Sequence, residues 1–171
     1  MTDAAPEPDE ETLAFAAKVF AAAREGDVGT LGPLLDAGLP ADLSNDKGDT
    51  LLMLASYHGH EALTERLLKA GADPAIANDR GQTPLAGAAF KGETAIARLL
   101  LDHGAPVEDG GPGGKPPLTI AAMFDRVEIL DLLIERGADP QKPGPDGSTA
   151  LGAARAMGAE KAAAFLEAKL G

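Results

Sequence analysis

A step of 33 residues runs through this chain and constrains its fold more than any other feature. Gly48 recurs as Gly81, Gly114 and Gly147; Leu52 as Leu85, Leu118 and Leu151; Ala55 as Ala88, Ala121 and Ala154. The same step joins Gly38, Gly71, Gly104 and Gly137, and joins Leu34, Leu67, Leu100, Leu133 and Leu166. A period of this length marks a stack of small units, each unable to bury its apolar face alone and each burying it against the next. Residues 45–77 serve as the template. Thr50 is placed to cap a short helix that stops at Gly59, where a left-handed residue can reverse the chain. A second helix over about 61–70 presents Leu63, Leu67 and Leu68 inward and ends at Gly71. An extended, hairpin-like loop follows, with Pro74 barring helix and Asn78, Asp79, Arg80 and Gly81 supplying turn chemistry.

Only six residues are aromatic, one Tyr and five Phe, so the core has to be built from Leu, Ala and Ile, which suits closely stacked helices. Cysteine is absent, which excludes disulfides, thiolate zinc sites and cysteine nucleophiles and fits a reducing compartment. The first eleven residues hold five acids and no base, unlike a secretion signal, and no apolar run reaches the roughly 20 residues of a membrane helix. A soluble, cytoplasmic protein is expected, with no membrane partner. The net charge of −12 is uneven: 19 acids and 8 bases precede residue 111, against 8 and 7 from there on. Nucleic acid is therefore not an expected partner, since phosphate binding requires a basic stripe. A basic protein surface is favoured instead.

The two ends depart from the template. Residues 1–11 are expected to form a disordered acidic tail, with Thr12 capping a helix to about Arg24 that carries Leu13, Phe15, Ala16, Val19, Phe20 and Ala23 at helical spacing. A second helix over about 28–37 ends at Gly38. This first unit lacks the Gly-x-Thr-x-Leu opening and reads as a terminal cap. The last unit, rich in alanine and bearing Glu160, Lys161, Glu167 and Lys169, reads as a polar cap at the other end.

A 33-residue unit carrying Asp79-Arg80-Gly81-Gln82-Thr83-Pro84-Leu85 and Leu99-Leu100-Leu101-Asp102-His103-Gly104-Ala105 resembles the ankyrin repeat. Gly59-His60, the run from Leu132 to Asp139 and the run from Asp146 to Leu151 match it as well. The resemblance implies an all-α solenoid of stacked helix-turn-helix units joined by hairpin-like loops. It covers a single domain over 12–171, in units 12–44, 45–77, 78–110, 111–143 and 144–171. It also implies a non-catalytic protein–protein interaction module. The family usually follows Thr-Pro-Leu with a histidine that knits neighbouring loops; the equivalent positions here are Met53, Ala86, Thr119 and Gly152. In the fourth unit the cap threonine is replaced by Pro116 and the turn glycine by Asp125, and a glycine run over 110–114 marks the seam where the array is expected to flex.

Motifs for catalysis or cofactor binding are incomplete. Gly114-Lys115 after the glycine run invites a phosphate-loop reading, but the required first glycine would fall on Asp109, and Pro116 stands where a metal-binding Ser or Thr is needed. His58 and His60 could share a metal, yet they have no third histidine or cysteine nearby, and His60 matches a family position that serves a local hydrogen bond. His103 suits a helix C-terminus. Glu108 and Asp109 are neighbours in a loop rather than a cleft pair. No cofactor, no metal and no catalytic residue is expected. The alternative function is a small metal- or nucleotide-dependent enzyme or sensor; within the binding class, the alternative is an inhibitor or immunity-type partner of one enzyme.

Subtracting the positions that folding requires leaves the large apolar residues. Tyr57, Phe90 and Met123 share one repeat position at the end of the first helix, and Phe124 and Met157 share the next, which His58 and Lys91 also occupy. In ankyrin-like stacks the first helices and hairpins line the concave face, so these residues should form a ladder there at roughly 10 Å spacing. Aromatic and Met side chains clustered on a groove are what binding hot spots are made of. The competing reading is that they merely cover helix ends and pack between units. Around them a polar rim, acid-rich toward the N-terminal side, is expected from Asp46, Lys47, Asp49, Asp79, Arg80, Gln82 and Lys115. A monomer is expected to present this face to another protein.

Overall fold

The computed structural model describes residues 5–171, so residues 1–4 of the expected tail lie outside it. Ten helices follow among the described residues: α1 (Glu10–Glu25), α2 (Val28–Asp36), α3 (Leu51–Tyr57), α4 (Glu61–Lys69), α5 (Pro84–Lys91), α6 (Thr94–Asp102), α7 (Pro117–Met123), α8 (Val127–Glu135), α9 (Ala150–Met157) and α10 (Glu160–Leu170). The odd-numbered helices pack in sequence as one row, the even-numbered helices as a second, and each consecutive pair packs together. This is the all-α solenoid that the 33-residue period requires. α1 starts earlier than the sequence suggests: Asp9, not Thr12, is its cap, accepting from the Thr12 N–H at 2.8 Å. A carboxylate serves this role better than a hydroxyl because it also complements the positive end of the helix dipole.

Caps and turns repeat with the period. Thr50, Thr83 and Thr149 each accept from the backbone N–H three residues on, at 3.1, 3.3 and 3.1 Å. Pro84 and Pro117 occupy first helical positions, where no N–H is needed. The turn between paired helices uses a left-handed residue each time: Gly26, Gly59, Gly92 and Gly158, with Asp125 at φ +60° in the fourth unit. Asp is among the few side chains that tolerate this conformation. Its carboxylate also bonds the Ala162 N–H at 2.7 Å, in the first turn of α10, which has no side-chain cap of its own.

The core is a continuous seam of Leu, Ile and Ala. Leu31, Leu52, Leu67, Leu100, Leu133 and Leu166 are buried within it, and Leu34, at the open N-terminal end, is half-buried. With the loop histidine missing, a side-chain bond and a backbone bond tie the second loop to the third. Asn78 donates to Asp49 at 2.8 Å, and the Asp79 N–H donates to the Lys47 carbonyl at 3.0 Å. Asp49 is thereby only 9% exposed, which corrects its expected place on the open rim. Removing its donor leaves a buried carboxylate oxygen without a partner, so Asn78→Ala should cost about 1–3 kcal/mol in urea unfolding. A loss under about 0.5 kcal/mol, the usual range for surface changes, would remove this bond from the account of loop stacking.

Candidate partner-binding groove

A half-open hollow of about 440 Å³ lies between the loops and the odd-numbered row of helices. Met53 and Tyr57 come from α3, Ala86, Gly87 and Phe90 from α5, Ile120 and Met123 from α7, and Phe124 from the residue that ends α7. Arg80, Gln82 and Lys115 reach it from the two loops before α5 and α7. The hollow exists because one unit is small where its neighbours are large. Gly87 holds the repeat position of Leu54 and Ile120, and Ala86 that of Met53 and Thr119. A Cβ on Gly87 would sit 3.4 Å from the Tyr57 Cδ2, so the Tyr57 ring leans over the space that glycine leaves.

The walls are aromatic. Tyr57, Phe90 and Phe124 are 39%, 40% and 37% exposed, so each ring buries one part against the stack and leaves another open to the groove. Phe90 and Phe124 meet edge to face with centroids 4.7 Å apart, the arrangement favoured by ring quadrupoles. The Lys91 ammonium lies 5.1 Å from the Tyr57 ring centroid, within cation–π range.

The far wall explains the glycine run. A Cβ on Gly110 would lie 1.8 Å from the Lys115 carbonyl oxygen, and one on Gly111, at φ +89°, would lie 2.0 Å from the Gly81 carbonyl oxygen. These glycines are small because the loop closes on itself and on the preceding turn. The seam where the array is expected to flex thus contains close backbone approaches at Gly110 and Gly111. Lys115 is then half-buried and paired with Asp146 of the next loop. That Lys115 ammonium, with the Ser148 hydroxyl and N–H, holds the Asp146 carboxyl well below the usual carboxylate range.

Of the candidate residues, Tyr57, Phe90, Met123, Phe124, Arg80, Gln82 and Lys115 line this one hollow. His58 borders an adjoining depression with Asp49, Tyr57 and Arg80. Burial lowers the His58 pKa, with the charges of His60, Lys91 and Arg24 acting in the same direction, so the neutral ring is favoured. Met157, 53% exposed on α9, and the exposed Asp46, Lys47 and Asp79 lie outside the hollow. The charged lining of the hollow itself is Arg80 and Lys115, with no carboxylate. His60 is a structural tie: its Nε2–H donates to the Arg24 carbonyl at 2.6 Å. Arg126, two units on, donates to the equivalent Phe90 carbonyl at 3.2 Å. Sequence reasoning missed Met53, Ala86, Gly87 and Ile120, whose signal was a drop in side-chain size at two repeat positions.

A family model described as three copies of ankyrin repeats matches residues 19–110, and a second, described as an ankyrin repeat, matches residues 113–142. The chain belongs to the ankyrin repeat family. A Pseudomonas aeruginosa protein described as an ankyrin repeat protein is 56% identical over 61 residues, covering 35% of this chain and 36% of that relative. The match thus spans just over a third of the relative's length. Ankyrin repeats are generally protein–protein interaction modules, and the family is typically non-catalytic. Among its described residues, no helix is long and apolar enough to cross a membrane.

Proposed function

We propose that this ankyrin repeat chain is a protein-binding module whose partner seats on the concave face lined by α3, α5 and α7, with no catalysis of its own. One observation carries the reading: Tyr57, Phe90 and Phe124, half of the chain's aromatic residues, line a single half-open hollow with an Ala and Gly floor. Rings that are already held in place lose little conformational freedom on binding, so their buried area converts efficiently into affinity. The module acts as one domain of five units from residue 12 onward, and as a monomer, so its mass in solution should be that of one chain.

The charge of −12 acts at longer range than the groove and favours encounter with a partner whose surface is basic. Association with the captured partner should therefore slow as salt rises from about 0.01 to 0.15 M, where the screening length falls from about 30 to 8 Å. An association rate that ignores salt would remove this steering.

The direct test is capture on the immobilised protein, compared with a Tyr57→Ala/Phe90→Ala variant and with a Glu65→Ala/Lys69→Ala variant on α4. A partner retained by the α4 variant and lost from the aromatic one supports the reading. Equal retention by all three would overturn it.

A further inference from the structure

Resting on that reading, we infer that the group seated in the groove is anionic: an Asp or Glu of the partner protein adjoining an aromatic or large aliphatic side chain. The chain carries 27 acids against 15 Lys and Arg, yet the charged residues that line the hollow are Arg80 and Lys115. In a surface this acidic, the lining of the hollow carries no carboxylate.

The two cations differ in what they have left to offer. Lys115 is paired with Asp146. Arg66, Arg136 and Arg155 are likewise paired, with Asp36, Asp102 and Glu167. The Arg80 guanidinium makes no hydrogen bond or ion pair with the described residues, and its side chain is exposed between the groove and the adjoining depression. Neither Asp49 nor Asp79 pairs with Arg80. Asp49 is buried and accepts from Asn78. The carboxylate of Asp79, the residue before Arg80, lies against the Gly48 turn, where a Cβ would come 2.5 Å from its Oδ1.

A guanidinium presents a planar fork of donors that matches a carboxylate in two parallel hydrogen bonds. A partner side chain filling the apolar hollow would also strip water from Arg80, and a partner without an acceptor at that point would leave it unsatisfied. Arg80 is thus the residue that sets which apolar segment docks and in what register. This does not conflict with a basic partner surface. Long-range charge governs encounter, whereas the docked complex is decided by the groups within hydrogen-bond reach.

Selection of a random 12-residue peptide library on the immobilised full chain tests this directly. Enriched peptides should carry Asp or Glu within three residues of an aromatic or large aliphatic residue. Their binding should weaken about tenfold or more on Arg80→Glu. Changing the peptide acid to Lys should weaken binding to the unmodified protein and restore it to Arg80→Glu. Arg80→Gln, which keeps a polar side chain without charge, should fall between them. Enrichment of basic or neutral apolar peptides that still require Phe90 would overturn the anionic anchor and leave the groove reading standing. Peptides insensitive to Tyr57→Ala/Phe90→Ala, or no enrichment at all, would overturn both.

Discussion

Leu100→Ala is expected to cost about 2–5 kcal/mol and lower the midpoint of thermal unfolding by about 2–4 °C for each kcal/mol removed. Leu100 is fully buried in α6, which packs against both α4 and α8. Truncation there leaves a cavity walled by helices that cannot close in without disturbing the spacing of the stack. Because each unit is stable only through its neighbours, damage at the middle weakens two interfaces at once. Leu34, the same repeat position in the first unit, is half-buried, so Leu34→Ala should cost clearly less. Calorimetry or urea unfolding of the two variants checks the gradient. An equal cost at both positions would contradict a stack whose end is open.

Tyr57→Ala/Phe90→Ala carries the largest expected effect on binding. Hot-spot residues are worth about 2 kcal/mol or more each on truncation, so the double variant should bind the partner about a hundredfold or more weaker. The fold should survive it. Both rings are two-fifths exposed, so the variant loses part of their packing, the Lys91 contact of Tyr57 and the edge-to-face pairing of Phe90 with Phe124, the last worth about 0.5–1.5 kcal/mol, and keeps the buried Leu seam. Phe90 and Phe124 touch, so their single effects are not expected to add. Titration calorimetry with the captured partner, alongside circular dichroism of the variant, separates a damaged binding face from a damaged fold.

The stack was legible in the sequence because its requirements recur. A cap at Thr50, Thr83 and Thr149 and a buried Leu at 67, 100, 133 and 166 recur at fixed repeat positions, and repetition converts weak local signals into a strong one. The start of α1 was misplaced because Asp9 stands outside the repeat and no second copy exposes its role as a cap. Asp49 was misread for a different reason. Its burial depends on Asn78, 29 residues away in the next loop, and a hairpin-tip acid looks solvated until its neighbour is set beside it. The aromatic wall of the groove followed from the residues left after folding positions were subtracted. Its floor did not, because large side chains draw attention and the hollow is made by the small ones, Ala86 and Gly87. The glycines of 110–114 carried a further ambiguity: slack chain and close backbone approach call for the same residue, and the close approach shows only once the carbonyls beside Gly110 and Gly111 are in place.

The central claim, that a partner seats on the face lined by α3, α5 and α7, is tested most directly by amide hydrogen exchange of the chain with and without the captured partner. New protection should be confined to residues 53–58, 80–91 and 110–124, with the exposed faces of α4, α6 and α8 exchanging as in the free protein. Protection that falls on α4, α6 and α8 instead, with the groove segments unchanged, would contradict it.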